Sequence, residues 1–156
     1  IAYSYIKSFF KNSKQQKVAT VRAGNVIGGG DYSKDRLIPD IFFSIKKKKK
    51  VTIRNPHHTR PWQYVLEPLS GYIRLAQELF LNKKKVLQEK QNWNFGPDVS
   101  NCRSVKYTVK YLSKQIPLKS KNLKKIINIS NHETNFLRLN NKKSKRILQW
   151  FPKWNL

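Results

Sequence analysis

Methionine is absent from the 156 residues, and cysteine occurs only once, at Cys102. A single cysteine excludes a disulfide framework and a thiolate metal site within one chain. No apolar run reaches the roughly 20 residues that a helix needs to cross a bilayer. Apolar residues still make up 38% of the chain, which excludes a disordered composition. We therefore expect a folded cytoplasmic protein without a membrane segment.

Acidic residues are also scarce, with eight Asp and Glu against 33 Lys and Arg, so the net charge is +25. Such a balance is typical of proteins that bind nucleic acid or an anionic surface. The lysines are scattered along the chain, however, and Arg is much rarer than Lys. A coding bias toward Lys, Asn and Ile at tolerant surface positions explains this pattern better. A basic nucleic-acid-binding module remains a second hypothesis.

The chain opens inside a helical pattern, because apolar residues recur at three- and four-residue spacing between Ala2 and Phe10. No capping residue precedes this stripe. Together with the missing methionine, the pattern indicates a helix without its first part. We therefore interpret the chain as a fragment.

Short β-branched runs alternate with amphipathic segments along the rest of the chain, which predicts an α/β fold with parallel strand pairing. The predicted strands cover residues 18–22, 51–56 and 92–98, with KIINIS at 125–130 as a further candidate. The predicted helices cover residues 1–12, 35–45, 67–80, 105–116 and 144–150. We expect Asp35 to cap the second of these helices.

Two of these helices carry their apolar residues on one face. In the helix that starts near Asp35, the stripe consists of Ile38, Ile41, Phe42 and Ile45. In the helix over 67–80, it consists of Leu69, Ile73, Ala76 and Phe80.

Four glycines, Gly24 and Gly28 to Gly30, follow the first predicted strand. A dinucleotide-binding turn needs Gly-x-Gly-x-x-Gly directly before a helix, and a P-loop needs Lys-Ser or Lys-Thr after its last glycine. Neither pattern is present. The spacing of the glycines alone predicts that residues 23–33 form a loop leading out of the first strand.

No catalytic set can be assembled from the residue pattern. Tyr3 and Lys7 have the spacing at which a lysine lowers the pKa of a tyrosine, but we interpret the pair as a chance spacing. The histidines offer no helical pair for a metal; they are His57, His58 and His132. We predict neither catalytic nor metal-binding residues in this chain.

Arginines are concentrated in the part of the chain with the fewest lysines, namely Arg22, Arg36, Arg54 and Arg60. The planar guanidinium is a better partner for phosphate oxygens than an ammonium. Arg60 is therefore a candidate diphosphate ligand, and a structural ion-pair partner is an equally good interpretation. The acids of this region look like turn and cap residues; they are Asp31, Asp35 and Asp40.

Three runs of sequence carry a resemblance to a known family: VATVRAGNVIGGGDYSKDRLIPDI, IRNPHHTRPWQYVLEPLSGYI and NWNFGPD. They resemble the CDP-glucose 4,6-dehydratases, which are nucleotide-sugar enzymes of the extended short-chain dehydrogenase/reductase family. The similarity is dense over residues 18–98 and thinner beyond Asn101. Another epimerase or dehydratase of the same family is the alternative.

The resemblance implies the α/β fold of the C-terminal part of such an enzyme, with the last Rossmann strands and helices plus a small substrate-binding domain. Residues 1–28 and about 62–100 would belong to the Rossmann part. Residues from about 29–61 and 101–156 would belong to the substrate-binding part.

The resemblance also implies a set of residues that contact the sugar nucleotide. Asn25 ends the family's Arg-x-x-Asn motif and would reach the diphosphate, as would Arg60. The other implied contacts are Leu37, Ile38, Pro39, Asn94, His132 and Glu133. The glycines would then carry the chain from the cofactor domain to the substrate domain.

In the family, NAD takes a hydride from C4 of CDP-glucose, the C5 proton is removed as water leaves C6, and the hydride returns to C6. The NAD fingerprint and the catalytic Tyr-x-x-x-Lys would precede this chain, because Ser8 to Phe10 resemble the end of the helix that carries that pair. We therefore expect a fragment that is inactive and folds poorly alone, from a parent enzyme that binds NAD and CDP-glucose and forms a homodimer.

Overall fold

A computed structural model describes residues 1–10, 17–116, 123–125 and 134–154. The helices of this part are α1 (Ala2–Phe9), α2 (Leu37–Lys46), α3 (Leu66–Phe80), α4 (Lys84–Leu87), α5 (Val105–Gln115) and α6 (Lys142–Leu148). The strands are β1 (Thr20–Ala23), β2 (Asn25–Ile27), β3 (Val51–Ile53), β4 (Thr59–Arg60), β5 (Trp62–Tyr64), β6 (Asn92–Phe95), β7 (Arg103–Ser104) and β8 (Leu123–Lys125). No helix in the described ranges is long and apolar enough to cross a membrane.

The strands pair two by two, and most pairs are parallel, as the alternation of strands and helices predicts. β1 pairs with β6, β2 with β5 and β3 with β8, each in parallel. Among the strands that the structure describes, the exception is the short antiparallel pair of β4 with β7. The predicted α/β class is therefore confirmed, with one pair in the other direction.

Two hydrophobic clusters form the interior of the described part. The cavity cluster packs α2, β3, β5 and α5 together through Ile41, Val51, Ile53, Trp62, Val105 and Val109. The scaffold cluster joins α3, α4, β6 and α6 through Leu75, Leu79, Val86, Trp93, Phe95, Leu148 and Trp150.

The segment between β1 and α2 differs from the prediction in two ways. The predicted loop contains β2, because the backbone of residues 25–27 pairs with β5. Asp35 does not cap α2: the N-cap is Arg36, and no side chain caps this helix. Asp35 has a left-handed backbone with φ of 60°, and its carboxylate instead accepts a hydrogen bond from Arg54 at 2.7 Å.

The predicted helix is present as α3, but its apolar stripe does not pack within the described part of the chain. Leu69, Ile73, Ala76 and Phe80 are exposed, and Phe80 retains 83% of its accessible surface. The opposite face packs instead, because Gly71 lets the ring of Phe95 lie directly against the helix. The buried residues of that face are Glu67, Pro68, Gly71, Leu75, Glu78 and Leu79.

The other predicted elements differ mainly at their ends. In α2, Phe42 is 49% exposed, whereas Ile41 is fully buried with Ile38 and Ile45 packed beside it. The helices predicted over 105–116 and 144–150 correspond to α5 and α6. Most of the candidate strand at 125–130 lies outside the described residues, since β8 ends at Lys125.

Candidate functional site

A cavity of about 1170 Å³ opens beside the cavity cluster. One wall is the glycine-rich segment of residues 24–31, and another is formed by residues of α2. Residues from β3, β4, β5, the start of α5 and the connecting segments complete the lining. The cavity is therefore bounded by the stretches in which the sequence motifs lie.

Five of the eight predicted contact residues line this cavity, although they come from three separate parts of the chain: Asn25, Leu37, Ile38, Pro39 and Arg60. Asn94 lies elsewhere. His132 and Glu133 lie outside the described residues. The backbone fold thus brings together an amide, a guanidinium and an apolar helix start.

Gly24 explains how the Arg-x-x-Asn segment comes close to Arg60. A Cβ atom at Gly24 would lie 2.3 Å from the carbonyl oxygen of Pro61, so only glycine fits there. This close approach allows the backbone N–H of Asn25 to donate to the same oxygen of Pro61 at 2.9 Å. Asn25 is thereby anchored next to the residue that follows Arg60.

Arg60 is only 7% exposed, although it lines the cavity. Its Nη1 donates to the carbonyl oxygens of Thr59 and Thr134, both at 2.9 Å. Its Nη2 lies 3.1 Å from Nδ1 of His58. These contacts hold the guanidinium in one orientation at the cavity wall, and they come from both β4 and the segment that follows residue 133.

Asn94 is not part of the cavity lining. It lies in β6 opposite Arg22 of β1, and its Nδ2 donates to the carbonyl oxygen of Asn140 at 3.1 Å. Its own carbonyl oxygen accepts from the Ser144 hydroxyl at 2.7 Å. In this structure Asn94 therefore connects β6 to the segment around α6.

The cavity also contains charged residues that the sequence analysis assigned to turns and caps. Arg36 contacts Asp31 at 3.2 Å, and Arg54 contacts Asp35 at 2.7 Å. The hydrogen bond from the Ser33 N–H, helped by Arg36, lowers the pKa of Asp31. Arg36 and Asp31 are 5 positions apart in the sequence, and Arg54 and Asp35 are 19 positions apart. No local sequence pattern indicates either pairing.

Asp40 differs from the other two carboxylates. It lies in the first turn of α2 and lines the cavity. Burial raises the pKa of Asp40, and the negative charge of Asp35 adds to this rise, while Arg54 opposes it. The cavity lining thus places the carboxylates of Asp35 and Asp40 near the guanidinium of Arg54.

Other candidate groups stay apart from the cavity. Tyr3 is 76% exposed on α1, a helix that buries none of its residues, and neither Tyr3 nor Lys7 lines the cavity. Among the described residues, no three His, Cys, Asp or Glu side chains are grouped so that they could hold a metal ion.

Comparison with known proteins gives one close sequence relative, and no family model matches the chain. CDP-glucose 4,6-dehydratase of Salmonella typhimurium is 41% identical over 162 residues, which cover 100% of this chain and 44% of that protein. The chain thus spans less than half the length of the relative that it matches.

Solved structures of sugar-nucleotide enzymes share the fold at low sequence identity. A dTDP-glucose 4,6-dehydratase from Bacillus anthracis has a TM-score of 0.72 at 20% identity, covering 99% of this chain and 44% of that one. A dTDP-glucose 4,6-dehydratase from Streptomyces venezuelae has a TM-score of 0.76 at 13% identity, covering 99% and 43%.

A third structure is that of UDP-glucuronic acid 4-epimerase from Bacillus cereus, with a TM-score of 0.66 at 18% identity and coverage of 98% and 44%. The resemblance that the motifs indicate is therefore confirmed. The chain is similar over its whole length to CDP-glucose 4,6-dehydratase, and it has the α/β fold seen in these structures of sugar-nucleotide dehydratases.

Proposed function

We propose that this chain is the sugar-nucleotide-binding part of an NAD-dependent CDP-glucose 4,6-dehydratase, a cytoplasmic lyase. The reaction converts CDP-glucose to CDP-4-keto-6-deoxyglucose and water. One observation carries the proposal: Asn25, Arg60 and the residues 37–39, which the resemblance assigns to the same ligand, line one cavity. The 41% identity to a CDP-glucose 4,6-dehydratase supports the choice of substrate.

The chemistry of the lining suits a diphosphate flanked by apolar groups. The volume of about 1170 Å³ is ample for a sugar nucleotide, because ligand cavities commonly measure roughly 300–1,000 Å³. A guanidinium attracts phosphate oxygens through its positive charge and its N–H groups, and the contacts of Arg60 with Thr59, Thr134 and His58 already fix its orientation. The Asn25 amide adds a donor, and Leu37, Ile38 and Pro39 offer an apolar wall to the base.

NAD does not fit the residues of this chain as a cradle. The chain's glycines at positions 24 and 28–30 do not form the Gly-x-Gly-x-x-Gly turn that holds a pyrophosphate at a helix start. We therefore assign NAD, and the catalytic Tyr-x-x-x-Lys, to the remainder of such an enzyme. It follows that the chain alone would bind at most the sugar nucleotide, with hydride transfer requiring that remainder, in a homodimer.

The test of this function uses the protein as its gene encodes it, supplied with NAD. Product formation is followed by mass spectrometry as the loss of one water from CDP-glucose, UDP-glucose and dTDP-glucose. We expect CDP-glucose to have the highest kcat/KM. A preference for another sugar nucleotide would indicate a different dehydratase or epimerase. Salt-dependent RNA binding without any response to CDP-glucose would favour the nucleic-acid-binding module.

Arg60→Lys tests the site within that protein. Lysine keeps the positive charge but lacks the planar guanidinium with its several N–H donors. We therefore expect the Kd for CDP-glucose to rise about 10- to 100-fold, as for the loss of a charge-assisted hydrogen bond. Arg146→Lys is the matched control, because Arg146 pairs with Glu89 at an exposed position outside the cavity. Equal affinities for CDP-glucose in the two variants would contradict the assignment of Arg60.

A further inference from the structure

The residues after α6, 149–154, form a C-terminal segment that folds back onto α3. Trp150 Nε1 donates to the hydroxyl of Ser70 at 3.0 Å, and its ring packs edge-on against Phe95. Just before the segment, Arg74 Nε donates to the carbonyl oxygen of Leu148 at 3.4 Å. The segment is thus attached to α3 by polar contacts as well as by apolar packing.

Glu67 makes the most specific of these attachments. Its side chain lies in the first turn of α3 and is only 4% exposed. One carboxylate oxygen, Oε1, accepts the backbone N–H groups of both Lys153 and Trp154, at 2.8 and 2.7 Å. Burial of a carboxylate is costly unless hydrogen bonds compensate it, and the C-terminal segment supplies them.

The same attachment places Trp154 against a residue of the cavity wall. The rings of Trp154 and Tyr64 are 5.7 Å apart and tilted by 53°. Tyr64 is the last residue of β5 and lines the cavity. The C-terminal segment therefore reaches the cavity from outside, through Tyr64.

β5, which ends at Tyr64, is in turn paired with the glycine-rich wall of the cavity. Tyr64 is opposite Ile27 in the β2–β5 pair, and the next N–H, of Val65, donates to the carbonyl oxygen of Ile27 at 2.8 Å. A Cβ atom at Gly28 would lie 2.8 Å from Val65 Cγ1, so Gly28 packs tightly on the same strand end. Ile27 and Gly28 both line the cavity.

We propose that the C-terminal segment positions the sugar-nucleotide site: Glu67 holds Trp154 on Tyr64, and this contact fixes β5 and the glycine-rich wall. Trp154 and Glu67 are positioning residues, because they act on the cavity through Tyr64. The choice of CDP-glucose as the ligand rests on the proposed function. The link from Trp154 through Tyr64 to the glycine-rich wall does not.

The binding test compares three variants in the full protein. Trp154→Ala should raise the Kd for CDP-glucose about 2- to 10-fold, the range for loss of an aromatic pair, and Trp154→Phe should restore most of the affinity. Phe151→Ala is the matched control, since Phe151 is 53% exposed in the same segment and contacts Lys145 instead. A positioning role predicts unchanged affinity for NAD in all three variants.

Hydrogen exchange of the unliganded protein tests the mechanical link by itself. Trp154→Ala should speed amide exchange in peptides covering residues 24–32 and 62–66, and Phe151→Ala should not. Equal exchange in the two variants would overturn the proposal, whether or not CDP-glucose binds. Faster exchange in Trp154→Ala without CDP-glucose binding by the unmodified protein would instead refute the proposed function and keep the positioning role.

Discussion

The scaffold cluster and the cavity cluster are both buried, but they are closed in different ways. Polar side chains that bond to the backbone surround the scaffold cluster: Asn141 donates to the carbonyl oxygen of Gly96 and Gln63 to that of Phe95. The cavity cluster instead opens on one side, where Trp62 and Val105 line the cavity. The comparison indicates that polar bonds to the backbone close one cluster, whereas the other cluster leaves space for a ligand.

The largest expected effect comes from adding one methyl group to the scaffold cluster. A Cβ atom at Gly71 would lie 2.2 Å from the ring of Phe95, which is fully buried and packs edge-on against Tyr72 and Trp150. We expect Gly71→Ala to lower the free energy of unfolding by about 2 kcal/mol, since overpacking outweighs the gain in helix propensity. Denaturant unfolding of the full protein measures this change.

Gly29→Ala makes the same change beside the cavity. No atom lies within 4 Å of a Cβ at Gly29, and its φ is not in the left-handed region. We expect the free energy of unfolding to change by less than about 0.5 kcal/mol. Equal losses in Gly29→Ala and Gly71→Ala would show that the two regions do not differ in packing.

A smaller effect is expected from removing one buried hydrogen bond of the scaffold. Ser144 is fully buried, and its hydroxyl donates to the carbonyl oxygen of Asn94 at 2.7 Å. Ser144→Ala should cost about 1–1.5 kcal/mol of unfolding free energy, because a partly buried acceptor loses its partner. Thermal unfolding in parallel with the unmodified protein gives the difference.

Ser113→Ala is its control in α5. The Ser113 hydroxyl also donates to a backbone carbonyl oxygen, that of Lys110 at 2.8 Å, but this bond is exposed. Water replaces the lost partner there, so the expected change is within about 0.5 kcal/mol. If Ser113→Ala destabilises the protein as much as Ser144→Ala does, burial does not explain how much the hydrogen bond of Ser144 stabilises the protein.

The sequence predicted the kind of element better than the surface that each element buries. The period of α3 indicates a helix, but two faces of this helix carry apolar side chains. Which face packs depends on Gly71 and on Phe95, a ring that lies 24 positions further along the chain. Such a contact has no local signature, so the stripe of Leu69, Ile73 and Phe80 does not by itself indicate which face of the helix packs.

The candidate site shows the same division between local and distant information. Motif resemblance assigned Asn25 and Arg60 to one ligand, and the structure brings both to one cavity. Asn94, assigned in the same way, lies away from it. The pairing of Asp35 with Arg54 depends on the left-handed backbone at Asp35, which no sequence pattern at this position indicates.

The smallest expected effect concerns the charge of Asp40 at the open side of the cavity cluster. Burial and the neighbouring Asp35 raise the pKa of Asp40 above its ordinary value of 3.8. The folded state therefore binds this proton more tightly than the unfolded state, and ionised Asp40 lowers stability at neutral pH. Asp40→Asn should raise the free energy of unfolding at pH 7 by less than about 1 kcal/mol.

The pH dependence separates this effect from a change in packing. The advantage of Asp40→Asn should shrink as the pH falls through the raised pKa of Asp40, where the unmodified carboxyl becomes neutral. Asp31→Asn is the control of opposite sign, because the Ser33 N–H lowers the pKa of Asp31 and ionised Asp31 stabilises the fold. Its deficit at pH 7 should likewise fade as the pH falls through the lowered pKa of Asp31. Urea unfolding between neutral and acidic pH measures both curves, and two differences of the same sign at pH 7 would contradict the electrostatic account.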